Sequence, residues 1–183
     1  MLRPADKKHG LVWFEAVRRR RDAPRLKQYQ GVMTVHLPPS PWTAPPGART
    51  IFLAGSIEMG SADDWQSRLI ARLPADVIAL NPRRESWDAS WRQSIEEPKF
   101  REQVEWELDG LERADRIAMW FAPETKAPIT LLELGLFARS GKLVIGCPDG
   151  FWRKGNVEVV SHRYGCTLTN DWESFVAAVT ATV

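Results

Sequence analysis

Cysteine is scarce. Cys147 and Cys166 are the only two in 183 residues, too few for a disulfide scaffold. Both fall at the ends of expected strands, so free thiols in a reducing compartment are the expected state. No run of apolar residues approaches the roughly 20 that a membrane-spanning helix requires. Charge begins at Arg3 and no apolar segment with a small-residue cleavage site follows it, so no secretory signal is expected and the cytoplasm is the expected location. The histidines, His9, His36 and His162, stand far apart without ligand spacing, and the expectation is a site with neither metal nor cofactor. There is no GxGxxG and no Walker motif, so no sequence feature points to NAD or ATP.

What is present is a chain able to build a core: 44% of its residues are hydrophobic, which removes disorder as the default reading. Its length suits one domain with an extension. The charge is uneven. Residues 1–32 hold nine Lys and Arg against three Asp and Glu, and the remainder sixteen against twenty, so the basic character belongs to the leader and the body is mildly acidic. Arg18 to Arg21 form a run suited to a phosphate-rich partner, but without interleaved aromatics or a binding motif nucleic acid is not expected as a partner. A solvated leader is the plainer reading. Pro38, Pro39, Pro41, Pro45 and Pro46 then make a helix-hostile connector, which divides a basic N-terminal extension, 1–48, from an α/β domain, 49–183.

From Arg49 strands and helices alternate, the pattern of a parallel sheet covered on both faces. Strands are expected over Thr50–Ala54, Val77–Leu80, Arg116–Phe121, Lys142–Gly146 and Cys166–Leu168, with a sixth short segment over Val32–Leu37 ahead of the domain. Helices are expected over Asp63–Leu73, from Pro98 to Arg113, over Ile129–Ser140 with Gly141 as its stop, near Val157–His162, and after Asp171 as a cap. On the helix opened by Pro98, Phe100, Val104, Leu108 and Leu111 form the apolar stripe. The fold class is an open five-stranded parallel sheet, flavodoxin-like or Rossmann-like, with ligands expected beyond the carboxyl ends of the strands. Nine tryptophans are many. Trp65, Trp87, Trp91, Trp106 and Trp120 fall near those ends, where rings can stack on a base, although core packing explains most tryptophans.

The strand ends carry the polar residues of interest. After the first strand comes Gly55-Ser56-Ile57-Glu58-Met59-Gly60-Ser61, a turn that either approaches an anion or simply connects strand to helix. After the second comes Asn81-Pro82-Arg83-Arg84-Glu85, whose arginines meet either a phosphate or nearby carboxylates. Glu133 is the most informative residue. It sits among Leu131, Leu132, Leu134, Leu136 and Phe137, and a carboxylate is costly in such a setting unless it is paired or used. The start of a helix should keep it ionised as a nucleophile; the alternative is a glutamate that caps or hydrogen-bonds the neighbouring loop. Glu107 lies on the border of an apolar stripe and is the second acidic candidate.

The ordered set Ile51–Ile57 (IFLAGSI), Trp106–Leu111 (WELDGL) with Ala114-Asp115, and Ile129–Ala138 (ITLLELGLFA) with Gly141-Lys142 resembles the nucleoside 2-deoxyribosyltransferase family, in its divergent deoxyribosyltransferase-like branch. The resemblance covers roughly residues 49–170. It implies that Glu133 is the nucleophile that attacks the anomeric carbon and forms a glycosyl ester, that Glu107 meets the departing base, and that Gly55 and Ser56 lie against the sugar. It further implies that Asn156 reaches the sugar's 5′ end from a neighbouring subunit, hence a homodimer or higher oligomer. Two positions depart from the family pattern. Ala127 stands where an aspartate six residues before the nucleophile is common, and Phe52 where a tyrosine commonly orients it.

The function expected is therefore cleavage or transfer at the N-glycosidic bond of a nucleoside or nucleotide, with Glu133 and Glu107 catalytic and Gly55, Ser56, Asn81, Arg83 and Asn156 binding the small-molecule substrate. Ser56, Arg83 or Arg84 would meet a phosphate if the substrate carries one, and Thr130 or a backbone amide would orient Glu133. The alternative is an inactive nucleotide-binding module of the same fold, which the losses at Ala127 and Phe52 favour.

Overall fold

The computed structural model describes residues 33–58, 62–84, 88 and 90–183. The basic leader with Arg18–Arg21, His9, residues 59–61 of the first turn, Glu85 and Trp87 lie outside the described residues. The elements run β1 (Thr34–His36), β2 (Arg49–Gly55), α1 (Trp65–Ile70), β3 (Val77–Leu80), α2 (Pro98–Arg113), β4 (Arg116–Trp120), α3 (Pro128–Phe137), β5 (Leu143–Gly146), α4 (Lys154–Tyr164), β6 (Thr167–Thr169) and α5 (Trp172–Thr180).

All strand pairs are parallel, in the order β1-β3-β2-β4-β5-β6. The sheet thus has six strands where five were expected. The sixth is the short segment before the proline connector, which pairs Thr34, Val35 and His36 with Ile78, Ala79 and Leu80. Without that edge strand the order is the flavodoxin-like one, as the alternating pattern required.

Period-2 alternation sends the two sides of each strand into two cores. Phe52, Leu80, Ile117, Met119 and Ile145 pack beneath α2, α3 and α4, with Trp106, Leu134 and Val157 among the helical contributions. Leu53, Ala79, Ala118 and Val144 pack beneath α1 and α5 with Trp65, Leu69 and Phe175. Three of the five tryptophans noted above, Trp65, Trp106 and Trp120, are core residues. Trp106 also anchors the connector through its indole N–H, 2.9 Å from the Ser40 carbonyl.

The stripe expected on α2 is rotated. Its buried residues are Gln103, Trp106, Gly110 and Leu111, whereas Leu108 is exposed. A Cβ on Gly110 would lie 2.5 Å from the Phe52 ring, so the helix turns its glycine to the sheet to come close. Periodicity weights side-chain hydrophobicity and does not register this closest approach. The rotation matters, because it brings Gln103 and the adjoining Glu107 inward.

Chain crossover from β3 to β4 puts the switch in strand order between β2 and β4, and the carboxyl ends of those strands are where such sheets place a ligand. Gly55 ends β2 there with φ +150°, and a Cβ would lie 2.7 Å from the Trp65 ring and closer still to the Trp120 carbonyl. Gly55→Ala should cost about 2–4 kcal/mol through clash and backbone strain, read as a lower denaturant midpoint at unchanged slope. A midpoint within error of wild type would contradict this packing.

Candidate active site

Two carboxyl groups meet on the α2–α3 side of the sheet. Glu133 is the sixth residue of α3 and is 8% exposed. Glu107, on α2, is half-buried. Burial pushes Glu133 up to about 8, and the charge of Glu107 adds to the rise. Burial pushes Glu107 up to about 7, opposed by a hydrogen bond from Gln103. The expectation of an ionised Glu133 held by the helix dipole is therefore corrected. The dipole acts within the first turn, and Glu133 lies beyond it, desolvated and beside a like charge. Two such neighbours do not readily ionise together, so near neutral pH the pair retains a proton.

Glu133 has no hydrogen-bond partner among the described residues, and Thr130, though buried, does not orient it. The capping role weighed for it belongs to Glu58, which sequence reasoning passed over. The Glu58 Oε1 accepts from the backbone N–H groups of Lys126 at 2.9 Å and Ala127 at 2.7 Å. Both Glu58 and Ala127 hold left-handed backbone, with φ of 47° and 42°. A carboxylate therefore stands at the amino end of α3 beside the position where Ala127 itself has none.

Of the other expected binding residues, Ser56, Asn81 and Arg83 follow the carboxyl ends of β2 and β3 with polar atoms engaged. Ser56 is fully buried; its hydroxyl accepts from the Ala122 N–H at 3.1 Å and shares a 2.7 Å hydrogen bond with Thr125. Asn81 is buried at the end of β3 and accepts from the Arg83 N–H at 3.0 Å. Arg83 donates to Gln66, to the carbonyls of Ala62 and Asp63, and pairs with Asp64 at 3.6 Å. Arg84 pairs with Glu102 at 3.5 Å. Of the two readings for the arginines, the structure shows pairing with nearby carboxylates. Asn156 lies exposed in the first turn of α4, and no contact joins it to either glutamate.

A second residue that sequence reasoning missed is Gln103, whose amide reaches Glu107 at 2.8 Å. Its signal was the i,i+4 spacing on one helix. Two surface hollows, one at Arg72, Pro74 and Glu173 and another at Glu158 and His162, lie away from the carboxyl pair. Phe52, enclosed against Gly110 and Trp106, offers no hydroxyl to either acid. Both cysteines are free. Among the described residues, no group of three or more His, Cys, Asp or Glu is placed to hold a metal, and no helix is long and apolar enough to cross a membrane.

Comparison with solved structures finds a conserved protein from Enterococcus faecalis V583 with the same fold, at a TM-score of 0.55 and 10% identity, covering 74% of this chain and 99% of that one. No curated protein matches the sequence. Residues 48–151 match the family described as nucleoside 2-deoxyribosyltransferase like, a span that includes both glutamates and the rim from Gly55 to Arg84 but ends before Asn156. With more than half of its length in that match, the chain belongs to the nucleoside 2-deoxyribosyltransferase-like family.

Proposed function

We propose that the protein breaks the N-glycosidic bond of a nucleoside through a covalent ester on Glu133. The observation that carries this is the pair of buried Glu133 and half-buried Glu107, close enough for one to raise the other's proton affinity. Transfer of one proton from Glu133 to Glu107 creates a carboxylate nucleophile and a carboxylic acid in the same step. The Glu133 carboxylate bonds to the anomeric carbon. The carbon–nitrogen bond breaks with its electron pair going to the base, and Glu107 delivers the proton to that base. Water, or a second base, then attacks the ester and frees Glu133, so two inversions give net retention.

A nucleoside suits this rim better than its monophosphate. Ser56 and Arg83 are committed to internal partners, and the Glu58 carboxylate repels an anion from the amino end of α3. A second copy of the chain fits the outer side of α3. Ile129, Leu132 and Leu136 are 57–58% exposed there, and a Cβ on Gly135 would meet nothing within 4 Å. Such a stripe suits an association site.

The test is a panel of ribonucleosides, deoxyribonucleosides and their monophosphates, with liberated base followed by chromatography with and without an acceptor base. Base release is expected, at least tenfold faster from the nucleoside than from the monophosphate, on the scale of one misplaced buried charge. A product nucleoside that forms only with acceptor present marks a transferase; free sugar without acceptor marks a hydrolase. Binding without release over long incubation would replace this reading with the inactive module, to which the missing hydroxyl at Phe52 points.

A further inference from the structure

Gln103 is polar, one helical turn before Glu107, and only 3% exposed. Its Nε2 donates to the Glu107 Oε1 at 2.8 Å and to the Pro82 carbonyl at 3.0 Å. Two acceptors consume both amide protons, which fixes the orientation of the amide, since its oxygen cannot donate to the Pro82 carbonyl. What remains is the Gln103 Oε1, buried with no partner among the described residues. Left bare, a buried acceptor is costly. A strut between the end of β3 and α2 would need only the N–H groups and would gain nothing from an unsatisfied oxygen beside an acid.

We propose that Gln103 positions Glu107 and reads the base: its N–H holds Oε1 of Glu107 as the acceptor oxygen, leaving Oε2 to carry the proton, and its own Oε1 accepts from an N–H donor on the departing nucleobase. The ligand chemistry is a base edge with a donor beside an acceptor, the acceptor facing Glu107 and the donor facing Gln103. This rests on the glycosyl-transfer reading above and adds a residue that sets which bases are accepted.

The test compares full-length wild type with Gln103→Leu, and with Gln103→Met should the first variant fail to fold. The Glu107 carboxyl, followed by carbon NMR, should titrate higher in the variant, because the Gln103 hydrogen bond lowers its proton affinity. In kinetics, wild type should prefer the nucleoside it cleaves fastest over an analogue methylated at the donor nitrogen by roughly 10–100-fold in kcat/KM. The variant should prefer it by less than about threefold. Unchanged discrimination, or an unchanged Glu107 titration, overturns the proposal. If wild type cleaves no nucleoside, the glycosyl-transfer reading falls by itself. Discrimination is then measured as binding of free base and methylated base by calorimetry, and the Glu107 titration still decides whether Gln103 governs that carboxyl.

Discussion

Glu133→Gln should lower base release by roughly 10³-fold or more, with kcat falling and KM little changed, as for removal of a nucleophile used only in the chemical step. The substitution keeps shape and hydrogen-bonding capacity but cannot form an ester. Folding should survive it, because the residue has no hydrogen-bond partner to lose among the described residues and a buried ionisable group is replaced by a neutral one. Acid-quenched wild type should show a mass increment of one sugar residue that is absent in Glu133→Gln. Full turnover by the variant would remove the covalent mechanism, whatever the fate of the fold. Glu107→Gln should behave differently. Loss of the proton donor should slow nucleosides of poor leaving groups by about 10²–10⁴-fold and those of good leaving groups much less.

Stability should fall as pH rises from about 5 to about 8. In the unfolded chain both acids titrate near 4.5, whereas in the fold Glu107 is raised to about 7 and Glu133 to about 8. Between those limits the folded state binds more protons, so each unit of rising pH removes stability, up to about 1.4 kcal/mol per retained proton. The total is on the order of a few kcal/mol, since the two groups titrate as a pair. Carboxylates with depressed values, Asp64 beside Ser67 and Asp171 beside Ser174, act in the opposite direction and only when pH falls below the usual carboxylate range. Urea midpoints from pH 5 to 8 should therefore decline in wild type and decline less in Glu133→Gln. A flat wild-type profile would mean that the two carboxyls are better solvated than their burial implies.

The fold and the residues of the candidate site were unequally legible in the sequence. Glu133 stood out because a lone acid among leucines conflicts with a surface helix, and β2, β4 and β5 because short apolar runs of three to five residues stood before turn signals. Strand β1 was visible as a segment but not as part of the sheet: three residues have no local signature of a partner 44 positions on. Glu58 was hidden for a related reason. Its acceptor role depends on amides 68 and 69 residues away and on left-handed backbone at Ala127, which no side-chain pattern encodes. On α2 the hydrophobicity pattern misled, because Gly110, with nothing to bury, decides which side of the helix faces Phe52.

Helix α3 presents leucines outward at Leu132 and Leu136 and a buried acid inward at Glu133 within ten residues. Engineering for solubility would naturally begin at those exposed leucines, yet each is a neighbour of Glu133 along the same short rod. Surface redesign and changes at the buried acid are not separable on this element, and a variant that is easier to handle would have to be characterised afresh.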